Sequence, residues 1–361
     1  EGLLELHKVT GNPLYLSVVE KTVGHIIQEE INVAGSGSAF ECWYSGRVRQ
    51  TIPTYHTMET CVTFTWMQLC NRLLEMTGNS LYADYMESAI YNALMASLKA
   101  DASQIAKYSP LEGCRHEGEE QCGMHINCCN ANGPRAFAMI PQFAYQVKDD
   151  CIRVNFYGQS EADITLPGKK TVRLKQVTDY PVIDEITLEV GPAKESLFTI
   201  ALRIPAWSSL ATVQVNGESV EGILQGAYLP VTRKWKAGDR ISVRLDLRAR
   251  LVEMNQAQAI VRGPLVLARD SRFNDGFIDE TAVVVSKDGY VELTPVEAPE
   301  FAWMTFTAPL ILGTDLEGSS AARPVHFCDF ASAGNTWDKS QRYRVWLPRT
   351  LNVMHAPYKP Y

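Results

Sequence analysis

Two short stretches hold the side chains best suited to chemistry: HTMETC at 56–61 and MHINCCNANGPR at 124–135. The first offers the carboxylate of Glu59 and the thiol of Cys61, and the second offers the adjacent thiols of Cys128 and Cys129. Nine cysteines in 361 residues predict about 0.2 adjacent pairs by chance, so the pair alone decides nothing. Neighbouring thiols close a disulfide only through a strained eight-membered ring, which makes them better ligands than mutual partners. One oxygen and three sulfurs form a donor set suited to tetrahedral Zn²⁺. The same residues also admit an ordinary reading, with Cys61 a buried apolar side chain and Glu59 a carboxylate stabilised at a helix start. The spacing is not a paired CxxC pattern, and His56 and His125, which flank the two stretches, read more readily as polar neighbours than as ligands.

Both stretches precede helices. VTFTWMQLCNRLLEMTG follows Cys61, with Phe64, Met67 and Leu74 on one face and Thr57 available as a cap. Pro134 suits the first position of the helix carrying RAFAMI. Helix N-termini favour thiolates, so the placement agrees with a reactive or metal-binding role. The surrounding chain repeats itself: ELHKVTGNPLYLSVVEKTVGHI (5–26) parallels RLLEMTGNSLYADYMESAIYNAL (72–94). In each copy a helix runs into Thr-Gly-Asn and a second helix begins at Leu-Tyr, giving stacked helical hairpins. Between the copies, residues 34–57 are too rich in glycine for continuous helix and read as a functional loop. From about Cys151 the period changes to two, with short alternating runs broken by Gly, Pro and Asn-Gly, as in antiparallel β-sandwiches. Trp207 and Trp235 are expected in the cores of that region.

The net charge of −7 and the lack of basic runs exclude a nucleic-acid surface, and no apolar run is long enough to span a bilayer. The odd cysteine count and irregular spacing do not form a secreted disulfide framework. The chain opens inside an amphipathic helix, as though partway through a domain. A bacterial cytoplasmic or periplasmic location is left open.

The ordered set ETC (59–61), LYADYMESAIYNAL, YSPLE (108–112), CC (128–129), LRIPAW (202–207), VNG (215–217), RKWKAGD (233–239) and VRGPLVLA (261–268) resembles glycoside hydrolase family 127, the β-L-arabinofuranosidase family. The resemblance implies an α+β multidomain chain. Residues 1–147 would be the second half of an (α/α)6 helical barrel, followed by antiparallel β-sandwich domains at 148–270 and 271–361. It further implies zinc held by Glu59, Cys61, Cys128 and Cys129, with Cys128 also the nucleophile of a retaining glycosidase. Glu41 in AFECWYSG matches the family's acid/base position, with Phe40 where the family has glycine. Such an acid needs a carboxyl titrating above the usual value of about 4.3, and burial beneath Phe40 and Trp43 is expected to raise it. Glu87 and Tyr108 match sugar-pocket positions, although a helical carboxylate and a core tyrosine are equally ordinary. The implied substrate is an oligosaccharide or glycan bearing β-L-arabinofuranosides or related plant sugars, and a homodimer is admitted. Two other functions fit a helical toroid with sandwiches: a polysaccharide lyase or epimerase, and a carbohydrate-binding protein with structural zinc.

Overall fold

The structure, a computed structural model, describes residues 1–37, 41–43, 45–52, 54–117, 127–315 and 321–350. Among them are six α-helices: α1 (Gly2–Thr10), α2 (Pro13–Glu29), α3 (Gly46–Arg49), α4 (Thr60–Thr77), α5 (Leu81–Ala89) and α6 (Cys129–Phe143). All the described β-sheets are antiparallel apart from one strand pair. No helix among the described residues is long and apolar enough to cross a membrane.

The two copies of the internal repeat share the same turn conformation and cap hydrogen bonds. Gly11 and Gly78 both adopt the left-handed conformation, at φ 68° and 71°, which ends each first helix without a Cβ clash. Asn12 and Asn79 then cap the following helices, each accepting a hydrogen bond of 3.0 Å from the amide two residues on. Thr10 and Thr77 accept from the amides of those asparagines. The predicted apolar face of α4 is also present: Phe64, Met67 and Leu74 are buried.

The chain divides into two compact units. The first comprises Glu1–Arg72, Ser88–Ala136 and Arg248–Tyr361. Its main sheet runs Ala282–Val284, Thr305–Leu312, Arg323–Asp329, Leu265–Asp270, Ala257–Arg262, Ala249–Met254 and Tyr290–Val291. Both faces of this sheet are covered. On one face Ile260, Leu265 and Leu267 pack with Phe306, Leu310 and Phe327. On the other Ala259, Val266 and Ala268 pack with Met58, Ala93, Ala96 and Leu111, which belong to the helical part of the chain. Met58, fully buried, immediately precedes Glu59, so the core itself anchors one arm of the candidate site.

The second unit comprises Leu73–Glu87 and Phe137–Leu247. A six-stranded sheet is ordered Ser160–Leu166, Lys170–Val177, Glu185–Pro192, Asp239–Arg244, Thr212–Val215 and Glu218–Ser219. A four-stranded sheet is ordered Ala227–Trp235, Ser196–Ile204, Cys151–Val154 and Tyr145–Lys148. Alternate residues such as Val172, Leu174, Leu188, Ile200 and Leu202 are buried, which is the period-two pattern seen in the sequence. Trp235 is fully buried and donates its indole N–H to the Phe198 carbonyl at 3.1 Å, whereas Trp207 is only half-buried.

Strand Leu265–Asp270 pairs with Arg323–Asp329, Leu267 with Asp329 and Ala268 with Cys328. Alternation within a strand reports a buried face and says nothing about its neighbour in the sheet.

Candidate active site

Two helix starts in the first unit bring Glu59, Cys61, Cys128 and Cys129 together, with one donor atom from each lying within 4.8 Å of all the others. Helix α4 begins at Thr60, three residues after Thr57, so Glu59 and not Thr57 stands at the helix entry. The left-handed turn at Met58, φ 51°, aims the chain into the helix. The Thr60 amide donates to the Lys107 carbonyl at 2.9 Å and its hydroxyl to the Ala106 carbonyl at 2.8 Å, which ties this helix start to the 105–111 segment. Helix α6 starts at Cys129, five residues earlier than Pro134 suggested. The reason is Asn127, whose side chain accepts the free Cys129 amide at 3.0 Å and caps the helix there.

Cys61 Sγ lies 3.1 Å from Cys128 Sγ and 3.4 Å from Cys129 Sγ. Glu59 Oε1 lies 3.6 Å from Cys128 Sγ and 3.7 Å from Cys129 Sγ. Around tetrahedral zinc with Zn–S near 2.3 Å, sulfurs sit about 3.8 Å apart, so the set fits after Cys61 Sγ moves about 0.4 to 0.7 Å away from the other two sulfurs. Its electrostatics point the same way. Hydrogen bonding from Cys129 brings the Cys61 thiol down to about 5. Burial and then the hydrogen bond to Cys61 push Cys128 up to about 12. Cys129 is also pushed up, by its hydrogen bond to Cys61 and by burial. Burial, followed by the Cys61 charge, raises Glu59 to about 7. The protein alone thus ionises Cys61 readily, while Cys128 and Cys129 keep their protons. The four residues could hold a metal ion, whose charge would offset the repulsion between their ionised forms.

Glu41 stands beside this cluster through a residue that the sequence reading missed. The Lys107 ammonium lies 2.6 Å from Glu41 Oε1, and the Tyr108 hydroxyl donates to the same oxygen at 2.5 Å. The Lys107 carbonyl faces the other way, toward the Thr60 amide and, at 3.9 Å, Cys129 Sγ. One lysine therefore spans from the thiols to the carboxylate. The hydrogen bonds from Lys107 and then Tyr108 hold the Glu41 carboxyl below its ordinary value. This corrects the expected upward shift: Trp43 and Glu41 are both exposed, so desolvation loses to the ammonium. Phe40 and His125 lie outside the described residues. The signal for Lys107 was legible as a lone lysine within a run that is otherwise uncharged, Ile105 to Leu111, buried throughout. His56 packs edge-on against Tyr108, with ring centroids 4.9 Å apart.

Glu87 has a different setting, in the second unit. Its Oε1 faces Arg203 at 2.7 Å and accepts from the Tyr180 hydroxyl at 2.9 Å. Its Oε2 accepts from the Trp207 indole at 3.4 Å. Asp84 binds the same buried guanidinium. Both oxygens of Glu87 are therefore engaged by protein groups.

Residues 1–142 match the profile described as the β-L-arabinofuranosidase GH127 catalytic domain, and residues 151–247 match the GH127 middle domain. A curated non-reducing end β-L-arabinofuranosidase from Bifidobacterium longum subsp. longum is 23% identical over 300 residues, covering 76% of this chain and 45% of that protein. A solved GH127 β-arabinofuranosidase superposes with a TM-score of 0.81 at 24% identity, covering 99% of this chain and 60% of the other. A GH127 β-L-arabinofuranosidase from Geobacillus stearothermophilus T6 gives a TM-score of 0.79 at 20% identity, covering 96% of this chain and 58% of the other. The chain thus spans about half the length of the relatives it matches. The structural likenesses carry the fold, and two family profiles lie in order along the sequence, one over the segment holding the thiol cluster. The chain belongs to glycoside hydrolase family 127.

Proposed function

We propose that this chain carries the catalytic cysteine centre of a retaining glycoside hydrolase acting on β-L-arabinofuranosides or closely related plant-glycan sugars. Cys128 is its nucleophile and Glu41 its acid/base. The helical segments would form part of an (α/α)6 barrel, and the paired sheets its β-sandwich domains. The observation that carries the reading is the convergence of three thiols and Glu59, with Lys107 joining them to Glu41. A lyase or epimerase has no use for that thiol cluster.

Glu59, Cys61, Cys128 and Cys129 would hold zinc, which when bound keeps the sulfurs deprotonated. Cys128 Sγ attacks the anomeric carbon, the glycosidic C–O bond breaks, and the leaving oxygen takes a proton from the Glu41 carboxyl. Water then attacks the same carbon, gives its proton to the Glu41 carboxylate, and the C–S bond breaks. Two inversions give retention. The resting Glu41, gripped by Lys107 and Tyr108, has the protonation state that the second step requires. For the first step that grip must loosen as substrate enters. Tyr108 acts here by positioning Glu41, while Glu87 serves the ionic network of the second unit.

A second reading draws support from the completeness of the donor set: four ligands can close around a structural metal in a carbohydrate-binding protein. A cyclitol epoxide shaped like arabinofuranose separates the two. After incubation with the chain, tryptic mass spectrometry should find the adduct on Cys128, absent in Cys128→Ala, with an aryl β-L-arabinofuranoside hydrolysed to the retained anomer. An adduct on Cys129 or Cys61 would overturn the assignment of the nucleophile. Tight zinc binding with neither adduct nor hydrolysis would favour the structural reading.

A further inference from the structure

The three thiols of the cluster are chemically alike, yet a glycosidase of the kind proposed above needs one to attack and the others to stay on the metal. The distinction is written one helical turn beyond the cysteine pair. Asn132 follows Cys128 by four residues and Cys129 by three, so α6 sets it on the same face. Its side-chain amide reaches across to α4 and donates to Cys61 Sγ at 3.1 Å. The other end of that amide is also held: Arg135, three residues further along α6, donates to Asn132 Oδ1 at 3.1 Å. The Arg135 guanidinium in turn lies over the ring of Phe64, 4.9 Å from its centroid. Phe64 is buried on α4, three residues after Cys61. Arg135, Asn132, Cys61 and Phe64 thus close a loop of contacts between the two helices that supply the cluster.

We propose that Asn132, oriented by Arg135, is a positioning residue that fixes Cys61 as the permanent sulfur ligand and keeps it from acting as a nucleophile. The inference rests on the reading of the cluster as a metal–thiolate centre. An N–H donor withdraws electron density from a thiolate lone pair, so the sulfur becomes less nucleophilic while its direction toward the metal is fixed. The Arg135 hydrogen bond polarises the amide and strengthens that donation. The amide also cannot turn: with Oδ1 committed to Arg135, only Nδ2 faces the sulfur. A purely structural asparagine would need neither the sulfur contact nor the brace.

Cobalt(II) reports on this directly, because its thiolate charge-transfer absorption follows the electron density on sulfur. The full 361-residue chain would be stripped with chelator and titrated with Co²⁺ alone, then with Zn²⁺ in competition. Asn132→Leu keeps the volume and removes the donor. It should move the charge-transfer band to lower energy and weaken Co²⁺ binding by about 10- to 100-fold, the usual effect of losing an outer partner of a metal ligand. In the loaded chain it should also make Cys61 alkylate faster with iodoacetamide. Arg135→Met, at an exposed side chain, should shift the band the same way by less, and Arg135→Lys should restore it. A band, affinity and alkylation rate unchanged in Asn132→Leu would overturn the proposal while leaving the metal centre standing. No thiolate band in the parent chain would overturn the metal centre and the proposal with it. Should Asn132→Leu fail to fold, the Arg135 variants decide: a reversible shift supports the proposal, and no shift overturns it.

Discussion

Two groups of anionic side chains are buried in this protein, and they are neutralised in opposite ways. In the second unit Asp84 and Glu87 share the guanidinium of Arg203, which is fully buried and carries its charge at any pH of interest. In the first unit Glu59 and three thiols meet with no arginine among them, and the nearby ammonium of Lys107 is turned toward Glu41. The first arrangement supplies its own cation from the polypeptide. The second is balanced only by holding protons, which a metal ion can displace. Carboxylates paired to a resident cation read as architecture. Acidic groups gathered without one read as a site.

The most severe way to break the comparison is Arg203→Met, which leaves two buried carboxylates without their counter-ion. A loss of about 3–5 kcal/mol of stability is expected in urea denaturation. Burial, acting against the attraction of Arg203, already raises Asp84 to about 6 from an ordinary 3.8. A raised carboxylate favours the fold below its unfolded value, and that advantage disappears as pH rises through the folded value. The variant should therefore lose less stability at pH 5 than at pH 8, and equal losses would contradict the charge argument. The second test exchanges the protons of the thiol cluster. At pH 8 Cys128, pushed up to about 12, and Cys129, also pushed up, keep their protons. Zinc must displace both, so its affinity should rise by up to about 100-fold per pH unit in competition with a coloured chelator. A flat pH dependence would mean that the metal does not bind through these sulfurs.

Lys107→Met sharpens the comparison at the boundary between the two kinds of charge. Without the ammonium, Glu41 should hold its proton to higher pH, and the limb of the kcat profile that it controls should move upward. The loss of kcat on an unactivated arabinofuranoside should be about tenfold, smaller than the loss of about 10²-fold or more from Glu41→Gln. An unmoved limb would place the acid elsewhere. The smallest effect belongs to Trp207→Phe, which removes one 3.4 Å hydrogen bond to Glu87 and keeps the ring. About 1 kcal/mol or less should be lost by thermal unfolding, because Arg203 and Tyr180 still hold that carboxylate.

The four cluster residues, the helical hairpins and the change to a β period were all legible in the sequence, because each depends on residue type and short-range spacing. Gly11 and Gly78 end helices wherever the chain goes next, and Asn12 and Asn79 cap the helices that follow. Helix boundaries at the site were read less well. Thr57 and Pro134 are good local signals, but Met58 is pulled into the core and Asn127 caps Cys129, so the true starts fall at Thr60 and Cys129. The pairing of Leu265–Asp270 with Arg323–Asp329 could not be read at all, since alternation specifies a buried face and not a partner. What only the tertiary structure decided is which groups the acidic residues face. Sequence presents Glu41, Glu59 and Glu87 as three similar carboxylates. Folding sets Glu41 against Lys107, Glu59 against sulfur, and Glu87 against Arg203. Charge interactions act through space over a few ångströms, so the neighbours that a carboxylate meets lie 66, 69 and 116 positions away along the chain, counting to Lys107, Cys128 and Arg203.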